Sequence, residues 1–222
     1  MKIAYIQPSY PDHTSMFPLD CIHFMLKKAK ELDEGTDLLV LPEYANCPGL
    51  NDFAELTRFI EQDSAGFLDE LSEIAKNKQI HIVSNIIRNR ANNWRNSTVW
   101  IDRSGNRLAE YDKTHLTSFE KEGLHFTQGD EVRFLEVEGV KVVFATCFEL
   151  YFAEYFARLA ALKPDLIVVP TYQRSENSEL LQLQASARAM DSGAFLLRCA
   201  YSMGVMSQTG GMSMLVHPRG NV

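Results

Sequence analysis

Short apolar runs alternate with amphipathic stretches along almost the whole chain. The first run, residues 2–6, precedes a stretch at 19–34 in which Ile22, Met25, Leu26, Ala29 and Leu32 recur at the helical period until Gly35 ends it. Residues 37–42 read Asp-Leu-Leu-Val-Leu-Pro, apolar at successive positions as in a strand buried on both faces. The pattern predicts a second helix at about 64–76, a strand at 80–87, and a hairpin of 97–101 and 107–111 around Arg103-Ser104-Gly105-Asn106. Residues 112–131 break the pattern, and a loop that long in a compact domain is usually functional. Beyond it come strand 140–145, helix 153–162, strand 165–169, helix 178–191 and strands 194–199 and 212–216. Such alternation specifies an α/β sandwich.

Two internal echoes refine this. Residues 36–44, TDLLVLPEY, return as PDLIVVPTY at an offset of 128, and residues 101–106, IDRSGN, return as VHPRGN at an offset of 115. The chain therefore reads as two related halves within one domain, residues 1–222. Ligands in open α/β sheets gather at the carboxyl ends of strands, which directs attention to Gln7, Glu43, Cys147 and Thr171. The second offset carries another expectation. A return strand, 107–111, follows the first turn, whereas the sequence stops at Val222 after the second. Strand 212–216 is thus expected to lack its hairpin partner, and the domain to be short at its C-terminal end.

Three side chains stand out as able to carry chemistry. Cys147 stands at a strand-to-helix junction, where backbone N–H groups favour a thiolate and form an oxyanion site. Position alone fits a small buried hydrophobe equally well. Glu43 follows a doubly buried strand, where desolvation raises a carboxyl toward the range of a general base. Lys113 opens the long loop, and by itself reads as a solvated lysine. His115 and His125 offer a rival base for Cys147, although no orienting Asn or Asp is marked for either. Gly210-Gly211 reads as a tight bend, because no phosphate-binding glycine motif accompanies it.

Composition removes several classes. The chain has 222 residues, 45% hydrophobic and 23% charged, ordinary for a globular protein. Its 22 Lys and Arg against 29 Asp and Glu give a net charge of −7 with no basic stripe, so nucleic acid is not an expected partner. No apolar run approaches the ~20 residues that span a bilayer, and residues 2–6 are too short for a signal-peptide core. No membrane partner is expected, and the location reads as cytoplasmic. Cys21, Cys47, Cys147 and Cys199 form no CxxC pair and no Cys/His cluster, which points to free thiols, no structural metal and no cofactor.

Taken together, Leu41-Pro42-Glu43, Asn96-Ser97, Tyr111-Asp112-Lys113-Thr114-His115-Leu116, Phe126-Thr127-Gln128-Gly129-Asp130, Cys147-Phe148-Glu149, Arg188-Ala189-Met190-Asp191 and Gly211-Met212-Ser213 resemble the nitrilase superfamily of carbon–nitrogen hydrolases in order and spacing. The resemblance implies a four-layer α-β-β-α sandwich with Cys147 as nucleophile, Glu43 as general base and Lys113 stabilising the oxyanion. It also implies an auxiliary glutamate, Glu122 by its offset from Phe126, with Glu120 as the competing candidate. Gln128 stands where the family usually has proline, and Phe148-Glu149 where Tyr-Asp is commoner. The backbone N–H of Phe148 is expected to assist the oxyanion, and Tyr44, Tyr151, Tyr172, Gln173 and Arg174 to line the substrate pocket. The implied substrate is a small amide or N-carbamoyl compound, with nitrile hydrolysis, acyl transfer and a catalytically silent binding protein as alternatives. The resemblance further implies a homodimer, formed through an exposed face of Phe152, Tyr155, Phe156 and Leu159 that periodicity alone equally assigns to the core, and a further C-terminal segment reaching the partner.

Overall fold

The computed structural model describes residues 1–11, 16–203 and 209–222. Among the described residues, ten strands form two five-stranded sheets. The first sheet runs in chain order: β1 (Ile3–Tyr5), β2 (Leu38–Val40), β3 (His81–Arg90), β4 (Asn93–Ile101) and β5 (Arg107–Asp112). β1, β2 and β3 are parallel, and β3, β4 and β5 form an antiparallel meander. The second sheet has the order β10 (Met214–Val216), β9 (Phe195–Cys199), β8 (Leu166–Pro170), β7 (Val140–Phe144) and β6 (Phe134–Val137). Helices α1 (Pro18–Lys30), α2 (Phe53–Gln62) and α3 (Phe67–Lys78) share a core with the first sheet, and α4 (Ala153–Ala161) and α5 (Ser178–Ser192) with the second.

Side-chain alternation on β2 explains the layering. Leu39 and Leu41 pack in the core with α1, α2 and α3, while Leu38 and Val40 pack against Val142, Phe144 and Val168 of the other sheet. Each position in the run from Leu38 to Leu41 therefore has an apolar environment to enter. The echoes hold in three dimensions as well. β2 and β8 each sit one strand in from the first parallel strand of their half. In the first turn Asp102 N donates to Asn106 O and Gly105 N to Asp102 O, at 2.8 and 2.9 Å. In the second, His217 N donates to Asn221 O and Gly220 N to His217 O, both at 2.8 Å. Gly105 and Gly220 adopt φ of 84° and 88°, a region that favours glycine. β10 pairs with β9 and is the edge of its sheet among the described residues.

Two elements escaped the pattern. α2 was signalled by Asp52, whose Oδ1 accepts from Glu55 N at 2.9 Å. β6 joins β7 through Glu138 and Gly139, both at positive φ, an unusual place for glutamate. The aromatic face of α4 also differs from the seam that the resemblance implied. Tyr155, Phe156 and Leu159 are wholly buried, and Tyr155 OH donates to Phe144 O at 2.8 Å. These side chains belong to the core of their own chain, because the face turns toward the second sheet.

The approach of the long loop to β5 depends on one glycine. Gly129 N donates to Lys113 O at 2.8 Å, and a Cβ at Gly129 would meet Asp112 O at 2.1 Å, a backbone atom that cannot yield without moving the strand end. Gly129→Ala is expected to cost roughly 2 kcal/mol or more, lowering Tm by about 4–8 °C in a calorimetric scan. A Tm within a degree of wild type would show that the loop relaxes freely.

Candidate active site

β7 delivers Cys147 to the mouth between the sheets. Ala145 N pairs with Val168 O at 3.1 Å, and the chain then turns into a 3-10 segment, Cys147–Tyr151, with Cys147 itself at φ 47°. Tyr44, just after Glu43, is similarly strained at φ 60°. Left-handed non-glycine residues persist only where surrounding contacts impose them, and such residues cluster at functional sites.

Glu43, Lys113 and Glu120 meet as three buried charged side chains, exposed by 1, 2 and 3%. Lys113 Nζ donates to Glu43 Oε1 and to both oxygens of Glu120, each at 2.9 Å. Asn96 Nδ2 donates to the same Oε1 atoms of Glu43 and Glu120, each at 2.8 Å, and Asn85 fixes Asn96 by donating to its Oδ1 at 2.7 Å. Thr117 N and Oγ1 complete Glu120 Oε2 at 2.8 and 3.1 Å, and Tyr44 OH reaches Glu120 Oε1 at 3.2 Å. The Cys147 thiol lies near enough to Glu43 for each group to shift the protonation of the other.

Burial sets the protonation of this cluster. It pushes Glu43 above the ordinary carboxyl range; Lys113 opposes the shift and Glu120 reinforces it. Burial acts on Glu120 in the same direction, but Lys113, the Thr117 N–H and Asn96 outweigh it and hold that carboxyl low. For Lys113, desolvation works against the charge, yet Glu120 and Glu43 overcome it and keep the ammonium firmly protonated. Burial, followed by the charge of Glu43, raises the Cys147 thiol well above its usual value. The resting sulfur is therefore held as a thiol.

A cavity of about 260 Å³ opens onto this cluster, lined by Glu43, Tyr44, Leu50, Asn51, Lys113, Thr117, Phe119, Glu120, Leu124, Cys147, Tyr172 and Arg174. Glu43, Lys113, Cys147, Tyr44, Tyr172 and Arg174 thus converge where the sequence reading put them. Its other four residues do not line the cavity, and the Phe148 side chain packs instead against Tyr151 and Phe152. Glu122 is exposed, whereas Glu120 occupies the inner face of a π-helical turn, Phe119–Gly123, and reaches Lys113. Tyr151 is 45% exposed and donates to Glu176 at 2.6 Å. Gln173 is buried but engaged with Arg198 and Gln184, both at 3.1 Å. The histidines stay outside the cavity: His115 stacks on Phe152 at 4.2 Å and His125 meets Phe53 edge-on. Among the described residues no group of His, Cys, Asp and Glu is arranged to hold a metal ion.

Sequence reasoning also passed over Glu149 as a site residue. Its Oε1 accepts from Tyr111 OH at 2.6 Å, Thr114 Oγ1 at 2.7 Å, Thr114 N at 2.8 Å and His115 N at 3.1 Å, and its Oε2 from Thr146 N at 2.7 Å. One wholly buried carboxylate therefore joins the segment bearing Lys113 to the turn bearing Cys147.

A model of the family described as carbon–nitrogen hydrolase matches residues 2–222. The chain belongs to the carbon–nitrogen hydrolase family. Among curated relatives, the 2-oxoglutaramate amidase of Bacillus subtilis (strain 168) is 25% identical over 201 residues, covering 90% of this chain and 75% of its own. That of Paenarthrobacter nicotinovorans is 28% identical over 198 residues, covering 84% and 67%. An amidase from Nesterenkonia sp. shares the fold with a TM-score of 0.82 at 22% identity, over all of this chain and 84% of that one. The likeness in fold bears out the four-layer sandwich, and the family model bears out the resemblance to carbon–nitrogen hydrolases. No helix among the described residues is long and apolar enough to cross a membrane.

The geometry separates the two glutamates of the π-helical turn. Glu120→Gln is expected to lower turnover by about two orders of magnitude, because it weakens the partner of a buried ammonium. Glu122→Gln is expected to stay within twofold of wild type. Equal effects in a steady-state ammonia assay would contradict the assignment. Glu149→Gln turns an amide N–H toward donors on one side, so kcat is expected to fall about tenfold or more together with Tm. Unchanged kcat would show that the weld between the two segments is dispensable.

Proposed function

We propose that the chain hydrolyses the C–N bond of a small amide through a thioester on Cys147. The observation that carries the reading is Lys113, held by two buried carboxylates in the cavity wall that also presents the cysteine. Glu43 takes the thiol proton as sulfur attacks the carbonyl carbon. Negative charge then develops on the carbonyl oxygen, and we assign its stabilisation to the Lys113 ammonium and the Phe148 N–H. Glu43 returns the proton to the departing nitrogen, ammonia or an amine leaves, and the thioester remains. Water, deprotonated by the same carboxylate, releases the acid and restores the thiol. Glu120 keeps Lys113 charged and in place throughout, which frees Glu43 to carry the proton. The three relatives described above, each called an amidase, support this substrate class.

Ammonia release from a panel of ω-amides, carbamoyl compounds and aliphatic nitriles tests the reading. Amides are expected to react fastest; turnover of nitriles alone would reassign the reaction. Cys147→Ala is expected to lose roughly four orders of magnitude or more, while Cys21→Ala, Cys47→Ala and Cys199→Ala retain turnover.

The pH profile follows from the direction of the Glu43 shift. A base must be ionised to act, and burial holds Glu43 protonated to a higher pH than an ordinary glutamate. Activity is therefore present above this raised value and lost as pH falls through it. The acid limb of kcat/KM is expected to lie above the ordinary glutamate range of about 4.3, and a limb at or below that range would contradict Glu43 as the base.

A further inference from the structure

Arg174 follows β8 and is exposed, so it sits where the cavity holding Cys147 meets solvent. Its guanidinium lies over the rings of Tyr172 and Tyr10, 4.9 and 5.3 Å from their centroids. Those rings are stacked on each other at 4.7 Å with planes 19° apart, and Tyr201 meets both edge-on. Stacking of this kind holds a guanidinium in place while leaving its N–H groups available. Among the described residues no carboxylate pairs with it. The neighbouring acid, Glu176, is engaged at both oxygens. Its Oε1 accepts from Tyr151 OH and Gln173 Nε2 at 2.6 and 3.4 Å, and its Oε2 from Ser175 N and Oγ at 3.2 and 3.3 Å.

A second donor in the same wall is also unused. Among the described residues the buried Tyr172 hydroxyl has no hydrogen-bond partner, and buried polar groups in native structures ordinarily have one. The other charged side chains lining the cavity, Glu43, Lys113 and Glu120, already satisfy one another. Among the described residues the lining therefore carries one un-neutralised cation, suited to a planar anion.

We propose that Arg174 recognises a substrate carboxylate, so that the amide hydrolysed here carries a free carboxylate at the end remote from the scissile C–N bond. The inference rests on amide hydrolysis at Cys147. Arg174 acts on specificity and takes no part in bond cleavage.

Two probes of similar size differ in that carboxylate: succinamate carries it and butyramide lacks it. Binding of each to the Cys147→Ala protein is measured by calorimetry, with and without Arg174→Gln, and kcat/KM is measured in the wild type and in Arg174→Gln alone. Succinamate is expected to bind about 30-fold or more tightly than butyramide, equivalent to the loss of a charge-assisted hydrogen-bond pair. Arg174→Gln is expected to weaken succinamate far more than butyramide, erasing that preference. Arg174→Lys, which keeps the charge but not the fork, is expected to recover part of it. Equal affinity for the two amides, or an equal loss of both in Arg174→Gln, would overturn the proposal. Selective binding of succinamate with no ammonia from either amide would support recognition by Arg174 and contradict hydrolysis, so the two readings fail separately.

Discussion

A lysine ammonium buried at 2% exposure is the constraint on which the rest of this structure depends. Removing such a charge from water costs several kcal/mol unless it is paired and fully hydrogen-bonded. Lys113 meets that demand with two carboxylates, and each carboxylate has further partners of its own: Asn96 for both, Thr117 and Tyr44 for Glu120. The requirement explains why the segment after β2, the end of β5 and the π-helical turn must converge. None of the three charged groups could be buried there alone.

The same arrangement divides labour between two chemically identical side chains. Glu120 has the fuller set of donors and is held ionised, while Glu43 has fewer and is pushed upward, which leaves it able to exchange a proton with Cys147. Carboxyl groups whose environments drive them apart are the usual basis for separate acid–base roles. The scaffold beneath is rigid for a related reason. Glu149 ties the Lys113 segment to the Cys147 turn, Asn85 orients Asn96, and Tyr201 OH holds the backbone of Glu43 at 2.8 Å. In the reaction we propose, preorganised charge of this kind needs no rearrangement when the oxyanion forms.

Much of this was legible in the sequence, for physical reasons. Doubly buried strands announce themselves as unbroken apolar runs, so β2 and β8 were readable, and their repetition exposed the two halves. The convergence of Glu43, Lys113 and Cys147 followed from strand ends and from the family order. The distinction between Glu120 and Glu122 did not. Both lie in a π-helical turn closed by Leu124 N to Phe119 O, and its extra residue per turn defeats an offset counted from Phe126. Tyr151 and Gln173 were placed near the cavity by strand-end reasoning, but Glu176 and Arg198 capture their polar atoms. Such capture depends on contacts remote in sequence, which no local pattern encodes. Glu149 looked like a variation on a motif, and its role became visible only with its five donors.

The central claim is that this buried cluster serves Cys147 as a covalent nucleophile. The most direct measurement is mass spectrometry of the wild-type protein, acid-quenched during turnover of a slow amide substrate, followed by peptide mapping. The account predicts a gain equal to the acyl group less one hydrogen, confined to the peptide containing Cys147 and absent from Cys147→Ala. Turnover without that adduct under conditions where acyl release is rate-limiting, or an adduct on Cys21, Cys47 or Cys199 instead, would contradict it.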